Sequence, residues 1–329
     1  MLTQVGNILG RKAFEIYFCL STTLGNLKQE CKSIIYTDGI DHLFIVLLGM
    51  RHEDGNFIDR PDCIIYYEVR GTGDGVPLVV LHGGPGFAHT YLLSSSVWDK
   101  FGKDRPVVFY DQRGTGKSTI KKSSGSCTLE DQIDDLEALR RHLGYSRIDL
   151  LGHSWGGFLG MAYTARHTGE VTHLILVDSA APRLKDTVFL FNYIFPETTE
   201  RRKKLESEID LGDKNAIMAD TAAKFSMLCY SPEKREALVA SAGNTAYNYD
   251  VNQAVWADVE GIDLTPEIKK FTLPTLVITG RFDINVAPLV ALRIHELIPK
   301  SRFVVFERSG HLPFFEEPEG FFLIVNEFI

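Results

Sequence analysis

A chain of 329 residues, 44% hydrophobic and 24% charged, is long enough for one large domain or two ordinary ones and too apolar to be disordered or fibrous. Its net charge of −8, from 35 Lys+Arg against 43 Asp+Glu, excludes a basic footprint for nucleic acid or anionic lipid and makes a neutral or cationic small substrate the better match. Five cysteines, Cys19, Cys31, Cys63, Cys127 and Cys229, form no C-x-x-C. That argues against a disulfide framework and a zinc site, and sets a reducing, cytoplasmic compartment as the expectation.

Residues 1–54 read as an N-terminal extension, apolar over its first 49 residues but without a period of 2 or 3.6. Arg11-Lys12 followed by Ala13 to Leu20 imitates a signal peptide, yet Glu15 interrupts the apolar run and no small-x-small cleavage site is clear. Leu43 to Leu48 is too short for a bilayer, which takes about 20 apolar residues, so no membrane partner is expected. Either this stretch packs on the body or Met50 is the start; a chain begun at Met50 that folds and works favours the second.

From Cys63 the pattern is orderly. Cys63 to Val69 and Pro77 to Leu81 read as strands, the second ending in glycines; Val107 to Tyr110 is a third. Thr128 with Asp131 resembles a capping box, and Leu129, Ile133, Leu136, Leu139 and Leu143 follow at helical spacing. Ile148 to Leu151 is a strand, Trp155 to His167 a helix, Leu174 to Val177 a strand. The rhythm breaks over 184–268, where charge runs such as Glu200-Arg201-Arg202-Lys203-Lys204 and amphipathic stretches predict a helical cap. It resumes with a strand at Pro274 to Ile278, a helix at Pro288 to Ile298, a strand at Phe303 to Phe306 and a helix from Pro318. The fold class is therefore α/β: a mostly parallel twisted sheet built from 55–183 and 269–329, helices on both faces, and a cap inserted between the halves. Ligands of such sheets gather at the carboxyl ends of the strands.

Three chemical signals fall at those ends. Gly152-His153-Ser154-Trp155-Gly156 is a G-x-S-x-G between a predicted strand and a predicted helix, the context a nucleophile elbow requires. Asp283 follows one later strand and His311 the next, in the order Ser, Asp, His. The predicted roles are Ser154 as nucleophile, His311 as general base and then acid, and Asp283 as the group that fixes the imidazole tautomer. His82-Gly83-Gly84-Pro85-Gly86 follows the strand ending at Leu81, placing a backbone N–H, that of Gly84, to share a developing oxyanion with that of Trp155.

These motifs, with Asp111-Gln112-Arg113-Gly114, Gly116 and Ser118, resemble the signature set of the proline iminopeptidases, serine peptidases of the α/β-hydrolase fold, to which the tricorn-interacting aminopeptidase also belongs. The resemblance covers roughly 55–329. It implies an acyl-enzyme aminopeptidase that releases N-terminal proline, or another small residue, from short peptides without a cofactor. It also implies glutamates that hold the substrate's ammonium group. Ile284 stands beside Asp283 where some members carry one, so the candidates are Glu197, Glu200, Glu206 and Glu208 in the cap, each of which also reads as part of a solvated helix face. An amidase or esterase acting on a non-peptide small molecule is the alternative, and a hydrolase-fold ligand receptor the alternative from another class.

Several patterns are decoys. Gly114 to Ser118 ends like a phosphate-binding loop, but Asp111 stands where the first glycine belongs, and Gly71, Gly73 and Gly75 do not complete G-x-G-x-x-G. No H-E-x-x-H occurs, so no metal is expected. Tyr247, Tyr249 and Trp256 read as helix-packing residues, with an aromatic substrate pocket as the alternative.

Overall fold

Short apolar runs closed by glycines alternate with helical stretches, and the chain turns them into one sheet. The computed structural model describes residues 55–121 and 126–329, preceded by three short strands, β1 (Ala13–Glu15), β2 (Ile34–Thr37) and β3 (Leu43–Val46), that pair antiparallel in that order. Those strands belong to a unit, Met1–Gly55, separate from Asn56–Ile329. Apart from β1 to β3, the signal-like stretch and the alternative start at Met50 lie outside the described residues.

In the larger unit, β4 (Asn56–Asp59), β5 (Cys63–Arg70), β6 (Leu78–Leu81), β7 (Val107–Tyr110), β8 (Thr119–Ile120), β9 (Ile148–His153), β10 (Val171–Val177), β11 (Thr275–Gly280) and β12 (Arg302–Phe306) form a nine-stranded sheet. The order is β12-β11-β10-β9-β6-β7-β5-β4, with β8 on β5. All pairs from β7 to β12 are parallel, and β5 runs antiparallel to its neighbours. After β6 the chain steps to β7 on one side and later to β9 on the other. The crevice beyond the carboxyl ends of β6 and β9 is thus a topological switch point, where such sheets bind ligands.

Alternate residues of each strand feed two cores. Val79, Leu81, Leu150 and Leu174 pack with Leu129, Ile133, Leu136 and Leu139 on one face. Leu78, Val80, Leu151 and Ile175 pack with Trp98, Phe101, Phe321 and Val325 on the other. The helix Leu129–His142 starts on the expected capping box: Asp131 N donates to Thr128 Oγ1 (3.2 Å) and Thr128 N to Asp131 Oδ2 (3.0 Å). Between β10 and β11 there are helices and no strand, as expected for 184–268: Phe191–Ile194, Pro196–Asp210, Lys214–Phe225, Pro232–Ala240, Tyr249–Val259 and Thr265–Ile268. This insertion does not separate from the sheet as a compact unit. Asn248 N donates to Gly86 O (2.8 Å), Asn252 Nδ2 to Pro85 O (2.8 Å) and His311 N to Leu228 O (2.7 Å). Cys63, Cys127 and Cys229 are free and buried, and among the described residues no helix is long and apolar enough to cross a membrane.

The Asp111-Gln112-Arg113-Gly114 motif is an anchor for this scaffold. The buried Arg113 guanidinium donates to both carboxylate oxygens of Asp135 (2.7 and 2.9 Å) and to Asp62 (2.8 Å). Asp111 fills its own turn: Oδ2 accepts from Lys117 N (2.8 Å), and a Cβ on Gly116, whose φ is +53°, would meet that oxygen at 2.2 Å. A carboxylate therefore occupies the amide a phosphate would need, as expected of the decoy loop. Asp111 Oδ1 also takes His89 Nδ1 (2.7 Å), and Glu68 Oε2 lies 3.6 Å from His89 Nε2.

Burial opposes the charge on His89, but Asp111 and Glu68 outweigh it and raise its pKa to about 9; Glu68, also resisted by burial, is drawn down to about 2 by His89 and Arg70. A histidine with a raised pKa stabilises the fold fully below its unfolded value of about 6.5 and loses that contribution as pH climbs to 9. The Glu68 share is lost only as pH falls from 4.5 toward 2. Stability is expected to fall by up to roughly 3 kcal/mol between pH 6.5 and 9 on this account. Urea midpoints across that range check it: the slope should flatten in His89→Gln, and an equal slope in the variant would refute the assignment.

Candidate active site

Ser154 sits between β9 and the helix Trp155–Arg166 with φ 57° and ψ −120°, a conformation a non-glycine residue rarely holds. Hydrogen bonds fix it there: Ser154 N donates to Val177 O (3.0 Å), and Ser154 O accepts from Gly157 N (2.9 Å) and Ala180 N (3.1 Å). The flanking glycines are steric requirements. A Cβ on Gly152 would meet Gly156 O at 2.3 Å, and one on Gly156 would meet Leu81 O at 2.3 Å.

His311 and Asp283 meet. His311 Nδ1 lies 2.7 Å from Asp283 Oδ2, while Asp283 Oδ1 accepts from Asn285 N (2.8 Å) and Val286 N (2.9 Å). Both side chains are buried. The proton belongs on Nδ1, facing the carboxylate, so Nε2 is the acceptor, and Asn285 Nδ2 donates to it at 3.1 Å. Ser154 and His311 line one cavity of about 300 Å³ beneath the helical insertion.

The glycine loop after β6 lines the same cavity. Gly83 N donates to Tyr91 Oη (2.6 Å), Tyr91 Oη to His153 Nδ1 (2.6 Å), and His153 Nε2 to His311 O (2.8 Å). Burial first, and the nearby His311, push His153 well below the usual histidine range, so it stays neutral and serves as a strut. The N–H of Gly83 is taken; Gly84 and Trp155, the expected oxyanion donors, both line the cavity, Trp155 as the first residue of its helix. Gln112 ties the two segments, donating to His82 O (2.9 Å) and accepting from Trp155 Nε1 (3.0 Å). Gly83 must be glycine, since a Cβ would lie 2.9 Å from Ser154 Cβ.

Asp178, at the end of β10, escaped the sequence reading although it ends its strand as Asp283 follows β11. Its Oδ1 accepts from Thr279 Oγ1 (3.0 Å) and Gly280 N (2.9 Å); no donor reaches Oδ2. Burial and the adjacent Asp283 carboxylate push its pKa well above the usual carboxylate value, which favours the protonated acid beside Asp283. Ligand atoms of His153, Asp178 and His311 lie within 4.8 Å of one another, and every ring nitrogen of the two histidines has a hydrogen-bond partner within the protein.

The four candidates for holding a substrate amine lie away from the cavity. Glu197, Glu200, Glu206 and Glu208 are all exposed on the helix Pro196–Asp210 and none lines the cavity, because that helix turns Arg202 inward and its carboxylates to solvent. Among the described residues the wall contains no Asp or Glu. Tyr247, Tyr249 and Trp256 do line it, and Trp256 also packs against the core.

A family model described as the alpha/beta hydrolase fold matches residues 76–318. The chain is 32% identical over 279 residues to a proline iminopeptidase of Saccharolobus solfataricus, covering 80% of this chain and 88% of that one. It is also 32% identical to a proline iminopeptidase of Clostridium botulinum, with 80% and 94% covered. A solved thermophilic esterase from Thermogutta terrifontis superposes with a TM-score of 0.62 at 27% identity, covering 80% and 92%. The chain is a hydrolase that belongs to the alpha/beta hydrolase fold family, in its proline iminopeptidase-like branch.

Proposed function

We propose that the chain is a serine hydrolase that opens a carboxylic ester or amide through an acyl-enzyme on Ser154. The observation that carries the reading is the convergence on one cavity of a serine held on a strained strand-to-helix turn and a histidine 2.7 Å from a buried aspartate. Ser154 Oγ attacks the carbonyl carbon as its proton passes to His311 Nε2. Asp283 holds the imidazole and offsets its charge, and the N–H groups of Gly84 and Trp155 receive the oxyanion. His311 gives the proton to the departing amine or alcohol. Water, deprotonated by the same nitrogen, then releases the acid and restores Ser154. Asn285 Nδ2 holds the Nε2 lone pair at rest and yields it to the serine when substrate enters.

The narrower reading, release of an N-terminal proline from short peptides, is supported by relatives that carry that name; a cavity wall without a carboxylate favours the wider one. Both are tested by a panel of prolyl and other aminoacyl arylamides beside 4-nitrophenyl esters, run on the wild type and Ser154→Ala. Serine-dependent turnover of esters is expected. Turnover of prolyl arylamides as well supports the aminopeptidase, whereas one burst without further turnover would replace both with a ligand receptor.

A further inference from the structure

We infer that the cavity beneath the helical insertion binds a carboxylate: the substrate carries an anionic group on the part that lies against Lys224 and Arg202. The inference rests on the reading of the cavity as a hydrolase site and names its substrate class.

Both cations line the cavity wall, Arg202 from the helix Pro196–Asp210 and Lys224 from the helix Lys214–Phe225. They converge on one carboxylate. Arg202 Nε donates to Asp220 Oδ1 (2.7 Å), Lys224 Nζ to Asp220 Oδ2 (3.0 Å), and Tyr249 Oη donates to that same Oδ2. Asp220 is buried behind them and both its oxygens are used, so it offers nothing to a ligand. Two positive charges against one negative leave the cluster at +1. The Tyr247 ring centroid lies 3.8 Å from Lys224 Nζ and that of Tyr249 4.8 Å away. Aromatic faces attract a cation without neutralising it. The two Nη groups of Arg202 bond to no described residue.

A net charge on a sheltered wall is costly unless an anion joins it. Lys224 registers that cost: burial first, and Arg202 second, draw its pKa down to about 8 although Asp220 is in contact. It is still mostly protonated at pH 7. One unmatched charge and a free guanidinium fork suit a single carboxylate, which arginine can bind through two parallel hydrogen bonds. A substrate ammonium would meet two cations and no carboxylate.

The test compares three probes: mono-4-nitrophenyl glutarate, its neutral methyl ester, and prolyl-4-nitroanilide. In the wild type kcat/KM for the glutarate is expected to exceed that for the methyl ester by tenfold or more. The ratio should fall toward one in Lys224→Met and be largely kept in Lys224→Arg. Arg202→Gln, at a partly exposed position, supplies the same readout if Lys224→Met does not fold. Calorimetric dissociation constants of both esters with Ser154→Ala should show the same preference without turnover. Equal use of the two esters, preference for the prolyl probe, or a ratio unmoved by Lys224→Met and Arg202→Gln overturns the inference while leaving the hydrolase intact. Lysine-dependent binding of glutarate with no turnover of any probe overturns the hydrolase reading and leaves the carboxylate site standing.

Discussion

Ser154→Ala is expected to lower kcat by about 10⁴- to 10⁶-fold, the range seen when the nucleophile of a Ser–His–Asp unit is removed and only oxyanion contacts and binding remain. The loss should fall on kcat with little change in KM, because Ser154 Oγ acts on the carbonyl and the cavity wall provides the binding. The same position stores strain. At φ 57° and ψ −120° a Cβ is unfavourable, and such residues cost of order 1–3 kcal/mol. Alanine keeps that Cβ and glycine removes it, at an entropic cost of roughly 0.5–1 kcal/mol. Ser154→Gly should therefore be as inactive as Ser154→Ala but unfold about 2 °C higher. Steady-state kinetics and thermal melts of the two variants check both statements. Retained activity in Ser154→Ala would remove Ser154 from the mechanism, and equal melting points would remove the strain.

That strain explains why the core of the site could be read from the sequence. Elbow geometry tolerates almost no side chain at Gly152 or Gly156, so the motif is a steric record of the turn. Strands β6, β9, β10 and β11 were legible for a similar reason. Each is buried over most of its length and carries a short apolar run, Leu78 to Leu81, Leu150-Leu151, Leu174 to Val177 and Leu276 to Ile278, that leads to the ligand edge. The strands that escaped are of a different kind. Asn56–Asp59 and Thr119–Ile120 are short and partly exposed, and they pair only with β5, so no continuous apolar run marks them.

The wall of the cavity was illegible because its chemistry comes from convergence. Arg202 lies inside a charge run that reads as a solvated face, and only packing against the helix carrying Asp220 and Lys224 turns it inward. The glutamates on the same helix share its composition and point to water. Helical periodicity does not distinguish these outcomes when a 15-residue helix has a single buried side chain, Ile209. Asn285 and Tyr91 are likewise ordinary residues until Nε2 of His311 and N of Gly83 reach them. The −8 balance of the whole chain points toward a neutral or cationic substrate, yet the charged side chains of the cavity wall, Arg202 and Lys224, are positive. Net charge reports on the surface at large, and a site of about 300 Å³ is free to differ from it.

Asp283→Asn is expected to cost about 10⁴-fold in kcat with the fold preserved, and the surrounding donors say why. Asp283 Oδ1 is pinned by the N–H groups of Asn285 and Val286. An asparagine must place its carbonyl oxygen there, since its NH₂ has nothing to donate to at two amide hydrogens. The NH₂ is thereby turned toward His311 Nδ1, which becomes an acceptor and moves the imidazole proton to Nε2. An imidazole protonated at Nε2 has no lone pair left for the Ser154 proton. Asp178→Asn should behave oppositely. With its pKa raised by burial and by Asp283, Asp178 is there replaced by a neutral amide of nearly the same shape, so kcat should change by less than about tenfold. Single-turnover rates of the two variants, measured with ¹H NMR of the downfield imidazole proton, test the pair. A loss in Asp178→Asn as large as that in Asp283→Asn would make Asp178 the charged partner of His311 and reverse the two assignments.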